Sequence, residues 1–74
     1  MLKVLIMSPN KVFFNGSARS IIIPGVDGFF EIMDFHCPLI SLTVMGGVQV
    51  DNKRIMVRKG VVKVERNEVV VLVE

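Results

Sequence analysis

A chain of 74 residues makes one domain, and at that size only about 60–65% of the surface of the unfolded chain is buried on folding, which excludes a large enzyme. With 51% hydrophobic and 22% charged residues the chain is too apolar to stay disordered, and its net charge of +2 selects no class of partner. The single cysteine allows no internal disulfide and suits a reducing compartment.

Two further exclusions come from the apolar runs. The opening run Val4 to Met7 stops at Ser8-Pro9, short of the ~7–15 residues of a secretory signal, so no export signal is read. The longest stretch without a formal charge, Phe35 to Val50, contains a proline, two glycines, a serine, a threonine and a glutamine. It falls short of the ~20 apolar residues of a membrane-spanning helix.

In chain order, the mainly apolar pieces are Leu2–Met7, Lys11–Asn15, Ala18–Ile23, Gly28–Met33 and Leu39–Met45. They are separated by Ser8-Pro9-Asn10, Asn15-Gly16, Pro24-Gly25 and Cys37-Pro38, all turn-forming chemistry. The last third then alternates with period two: Val48 and Val50, Ile55 and Val57, Val62 and Val64, and Val69, Val71 and Val73. Asp51-Asn52-Lys53 and Glu65-Arg66-Asn67-Glu68 read as hairpin turns, and Gly60 as a further turn or a bulge. No helical stripe is present, and valine and isoleucine dominate. The expected fold is one all-β domain over residues 1–74, a small antiparallel β-sandwich or flattened barrel of roughly eight to ten short strands with no helix longer than a turn.

The terminal strands are apolar on both faces: Val4 and Ile6 alternate with Leu5 and Met7, and Val69, Val71 and Val73 with Val70 and Leu72. Two explanations stand. Either these strands are central in a closed sandwich, or one face meets a protein partner.

Residues that suggest chemistry do not assemble into a reaction. Asp34, His36 and Cys37 are metal-binding types, but with one histidine, one cysteine and no CxxC or HxxxH spacing no ligand set is expected. His36-Cys37-Pro38 reads instead as a strand entrance with the imidazole on backbone or on a partner. A pairing of His36 with Ser41 or Cys37 for nucleophilic catalysis has no spacing to support it. Gly25-Val26-Asp27-Gly28 and Gly46-Gly47 lack the lysine and helix start of a phosphate loop and read as turns needing positive φ. No cofactor is expected. Six of the nine basic residues, Lys53, Arg54, Arg58, Lys59, Lys63 and Arg66, fall in one stretch, which keeps a small all-β nucleic-acid-binding domain as the alternative function. Against it, all five phenylalanines lie between Phe13 and Phe35, away from those charges.

The ordered set of elements resembles the N-terminal β-sandwich of the epsilon subunit of F-type ATP synthases, called delta in mitochondria. The carriers are Ile6-Met7-Ser8-Pro9 with Val12-Phe13-Phe14-Asn15-Gly16; Ile22-Ile23-Pro24-Gly25 with Gly28 and Ile32; His36-Cys37-Pro38-Leu39-Ile40; Gly46; and Gly60-Val61-Val62-Lys63-Val64 with Asn67 before Val69-Val70-Val71-Leu72. Two departures stand out. The family usually has an acidic residue, an apolar residue and glycine where this chain has Phe29, Phe30 and Glu31, and often proline at Asp34, so a differently shaped lower loop is expected. Cys37 replaces the usual alanine, a small-for-small exchange read as suiting a packed corner.

The resemblance implies a non-catalytic central-stalk subunit that couples proton-driven rotation to ATP synthesis by binding the gamma subunit and the polar loops of the c-ring. It implies a peripheral position on the cytoplasmic face of the energy-transducing membrane, within the F1 sector. By the same resemblance Ser8, His36 and Ser41 are expected near gamma, and Asp27, Gly28, Phe29 and Glu31 near the ring loops. The family's C-terminal helical hairpin would begin after the last strand. These residues are therefore expected to carry the sandwich alone, without brake or nucleotide site.

Overall fold

The computed structural model describes residues 1–74 as nine strands with no helix. They are β1 (Leu2–Ser8), β2 (Lys11–Ala18), β3 (Ser20–Gly25), β4 (Gly28–Met33), β5 (Leu39–Thr43), β6 (Gly46–Val50), β7 (Lys53–Val57), β8 (Gly60–Glu65) and β9 (Glu68–Val73). Hydrogen bonding runs β2-β1-β9-β8-β5-β3-β6-β7, with β4 on the other edge of β3. The sheet folds over at the corner where Gly25 of β3 meets Thr43 of β5. One layer is β2-β1-β9-β8-β5 and the other β4-β3-β6-β7, a nearly closed sandwich.

The tight turns are where Asn, Asp and Gly place them. Arg66 and Asn67 have φ of 51° and 61° between paired Glu65 and Glu68, as a two-residue hairpin turn of matching twist requires. Asp51 has φ 53°, and its Oδ1 accepts hydrogen bonds from the backbone N–H of Arg19 (2.9 Å) and of Ser20 (3.1 Å). That one carboxylate ties the β2–β3 junction to the β6–β7 turn.

Period two decides what is inside. Fifteen apolar side chains form the core: Leu2, Val4 and Ile6 of β1, Ala18 of β2, Val69, Val71 and Val73 of β9, and Val62 and Val64 of β8 face Ile21 and Ile23 of β3, Ile32 of β4, Val48 and Val50 of β6, and Val57 of β7. A bulge in β2, where Ile6 pairs with Phe14 but Met7 with Val12, leaves Phe13 without a partner. It allows the consecutive Phe13 and Phe14 both to pack against the core.

Four local expectations are corrected. Asn15-Gly16 makes no turn, because β2 runs on to Ala18 opposite β1, and the chain breaks at Arg19 instead. Gly46-Gly47 lies inside β6 with no positive φ. A Cβ on Gly47 would meet only the Arg54 side chain, and Gly28, at φ 123°, is the glycine that needs the left-handed half of the map. Gly60 is neither turn nor bulge but the first residue of β8, where a Cβ would run into the Leu72 carbonyl oxygen. The sandwich is also not wholly antiparallel: β1 and β9 pair parallel, Val4 with Val69 and Ile6 with Val71. Hairpin turns force antiparallel pairing only between consecutive strands, and these two are joined by the whole chain.

Candidate interaction surfaces

Register places the residues of the five-stranded layer in rows across it. Val12, Met7, Leu72, Val61 and Leu42 form one row on the outer face, all apolar and all at least partly exposed, Leu42 at 61% and Leu72 at 51%. The next outer row is Asn15, Leu5, Val70, Lys63 and Ile40. Beyond it the face turns charged at Lys3, Glu68 and Glu65. At the apolar end a shallow groove is lined by Val26, Leu42, Val44, Met45 and Val61 with Lys59 at its rim. Five neighbouring strands about 4.8 Å apart make this exposed apolar stripe roughly 19 Å long. Of the two explanations for the two-faced strands, the structure bears out the first, since β1 and β9 are central in the layer; their outer side chains are nonetheless exposed.

The three residues expected near gamma all belong to this layer or its entrance. They do not cluster. Ser8 ends β1, half-buried, with its Oγ donating to the Lys11 carbonyl at 3.5 Å. Ser41 pairs with Val62, on the core-facing side of β5, and its hydroxyl donates to the Leu42 carbonyl at 3.5 Å. His36 sits before β5 at the opposite end from Ser8, its Nδ1 2.7 Å from the Cys37 carbonyl oxygen. Cys37 is exposed, not packed in a corner, because the chain there runs outside the core between β4 and β5. The Asp34 carboxylate is engaged by the Asn67 amide at 3.0 Å and the Met1 amino group at 3.3 Å, and no three His, Cys, Asp or Glu side chains converge anywhere.

The four residues expected near the ring loops do lie together. Asp27 is in the β3–β4 turn and Gly28 opens β4. Phe29 and Glu31 share the outer face of β4, since Phe30 and Ile32 point inward. Phe29 is 68% exposed. β4 pairs only with β3 and is an edge strand.

The basic stretch disperses on folding. Lys53 lies over the Phe14 ring at 5.9 Å, Arg54 covers Gly47, Lys63 is in mid-strand, and Arg66 is in the turn at the far end of β8 from Lys59. No continuous basic groove with aromatic platforms results.

What the sequence reading missed was the composition of the outer rows. Its signal was the apolar residues at both parities, but which strands lie side by side is set by register. It also missed Phe35, whose left-handed backbone no periodicity reveals, and the reach of the Asn67 side chain from its hairpin turn to Asp34 and Phe35.

Comparison with known proteins agrees with this architecture. Residues 1–74 match the family described as the ATP synthase delta/epsilon chain β-sandwich domain. An ATP synthase epsilon chain of Sulfurimonas denitrificans is 36% identical over 99% of this chain and 60% of its own length, and one of Chlorobium limicola is 34% identical over 97% of this chain and 88% of its own. The chain thus spans about three fifths of the former relative. In fold it is similar to a chain in the central stalk and c-ring structure of the Tetrahymena thermophila mitochondrial ATP synthase, with TM-score 0.77 at 18% identity, covering 97% of this chain and 62% of that one. With the family matched along its whole length and nine strands in a two-layer sandwich, the chain belongs to the delta/epsilon family of ATP synthase subunits, as its β-sandwich domain.

Proposed function

We propose that the protein is a non-catalytic rotor subunit that joins the gamma subunit to the c-ring and transmits torque between them, peripheral to the membrane on its cytoplasmic face. The observation that carries this reading is the exposed outer apolar row Val12–Met7–Leu72–Val61–Leu42. The two sets of contact residues divide by layer. Ser8, His36 and Ser41 belong to the five-stranded layer or its entrance, and Asp27, Gly28, Phe29 and Glu31 to β4 and its turn. A coupling element needs two such faces at once.

The gamma-facing surface is then the outer side of the five-stranded layer. Ser8 and Ser41 lie in the rows that face the core, so contact with gamma falls to their neighbours Met7, Ile40 and Leu42. Torque is carried by shape and apolar packing, and carboxylates such as Glu31 set the register against cationic ring loops.

Titration of the protein against its cognate gamma subunit tests this. Binding is expected to persist when salt is raised tenfold from about 0.05 M, because apolar contacts are not screened, and to be lost in Leu42→Asp combined with Leu72→Asp. Micromolar binding of single-stranded oligonucleotides that falls steeply with salt, without binding to gamma, would establish the nucleic-acid alternative instead.

A further inference from the structure

Phe35 has φ 63°, the left-handed region that bulky side chains rarely enter, and it is 92% exposed. No contact of the ring inside the protein offsets that strain. The conformation is imposed by a bracket of three segments distant in sequence. The Phe35 N–H donates to Asn67 Oδ1 at 2.7 Å; Asn67 Nδ2 donates to Asp34 Oδ1 at 3.0 Å; and the Met1 amino group pairs with the same Asp34 oxygen at 3.3 Å. Asn67 is itself left-handed, at φ 61°, and its carbonyl accepts the Lys3 N–H at 2.9 Å. A strained side chain held in water by so many supports gains its return from something outside the molecule.

The strand leading to Phe35 has matching chemistry. Phe29 (68% exposed) and Met33 (55% exposed) share the outer face of β4 with Glu31 between them, and the second edge of β4 is unpaired. Between Ser20 and Asn52 there is no lysine or arginine, and Asp27, Glu31 and Asp34 all fall on β4 or at its two ends. Asp34 is paired with the Met1 amino group, so the unpaired acidic charge along this aromatic strip is that of Asp27 and Glu31, which repels an anionic lipid surface and complements a cationic protein surface.

We propose that β4 and Phe35 form one docking strip, with Phe35 its anchor, for a protein surface in which an apolar socket is bordered by lysine or arginine. The proposal rests on the ring-facing reading of Phe29 and Glu31 and extends it to Met33, Asp34 and Phe35.

The test measures binding of the protein to its cognate detergent-solubilised gamma–c-ring subcomplex. Phe35→Gly is the decisive variant, because glycine takes φ 63° freely. Its thermal midpoint is expected to rise by about 4–8 °C, while its affinity falls at least tenfold, a pair of opposite signs that a purely structural residue would not give. Asp27→Asn with Glu31→Gln is expected to weaken binding severalfold and flatten its salt dependence. Equal binding by wild type and Phe35→Gly would overturn the anchor and leave the rotor reading standing; failure of the wild type to bind would overturn both. Binding of the wild type to phosphatidylglycerol vesicles as tight as to the subcomplex would replace the protein partner with a membrane.

Discussion

Asn67 shows how much one side chain can hold. It occupies a left-handed turn position, and through its side-chain amide and carbonyl it fastens the β8–β9 turn to Asp34 and Phe35, on a loop more than thirty residues earlier in the chain. Asn67→Ala is expected to cost about 2 kcal/mol, from the left-handed backbone and the lost hydrogen bonds together. Asn67→Gly, which keeps the backbone freedom, is expected to cost about 1 kcal/mol, and urea denaturation of the two variants separates the contributions. Gly60 acts by what it lacks. A Cβ there would meet the backbone of Leu72 and Val73, and backbone cannot move aside as a side chain tip can. Gly60→Ala is expected to lose on the order of 3 kcal/mol. At Gly16, where the added atom meets only the Phe14 ring at 3.4 Å, alanine is expected to cost under about 1 kcal/mol by the same measurement.

At the scale of the element, β9 is apolar on both faces, but only one of them is buried. Val69, Val71 and Val73 are in the core, while Leu72, one residue out of phase, is 51% exposed in the outer apolar row. Val71→Ala is expected to lower stability by about 2–3 kcal/mol through lost burial and a cavity. Leu72→Gln is expected to stay within about 0.5 kcal/mol of wild type while weakening association with gamma. Equilibrium unfolding beside binding titration checks the pair, and equal stability losses in both variants would show that the outer face is part of the protein's own packing. β4 has the opposite character. It pairs on one side only and contributes Ile32 to the core, so its outer face is free to vary toward a partner.

At the scale of the whole molecule, the parallel β1–β9 pair closes the chain on itself. Lys3 pairs with Glu68, a separation of 68 − 3 = 65 residues, so the layer that holds most of the core forms only after a large loop is closed. Folding is accordingly expected on the millisecond-to-second scale as a single exponential, although the domain is small. Stopped-flow refolding by intrinsic circular dichroism measures it, and relaxation in microseconds would contradict the role given to this pair. The same topology puts the apolar stripe on one layer and the aromatic strip of β4 on the edge of the other, so one core carries two separate exposed faces.

The sequence by itself determined the all-β class, the strands of the last third, the Asp51 and Asn67 hairpins, and most of the buried residues, because alternation with period two and the left-handed tolerance of Asn and Asp are local properties read without knowing neighbours. It also placed Asp27, Gly28, Phe29 and Glu31 in one continuous stretch, and they remain one surface because they are consecutive on a single turn and strand. Tertiary structure alone decided the rest. Asn15-Gly16 has turn chemistry but is held extended by its pairing with Leu5 and Val4; Gly60 is required by the backbone of another strand; and Ser8, His36 and Ser41 are scattered within one layer because their separation depends on strand order. The outer row Val12–Met7–Leu72–Val61–Leu42 joins residues from four corners of the sequence. Which residues stand side by side across a sheet is fixed by long-range register, and the physical cost and gain of that register appear only once the core has closed.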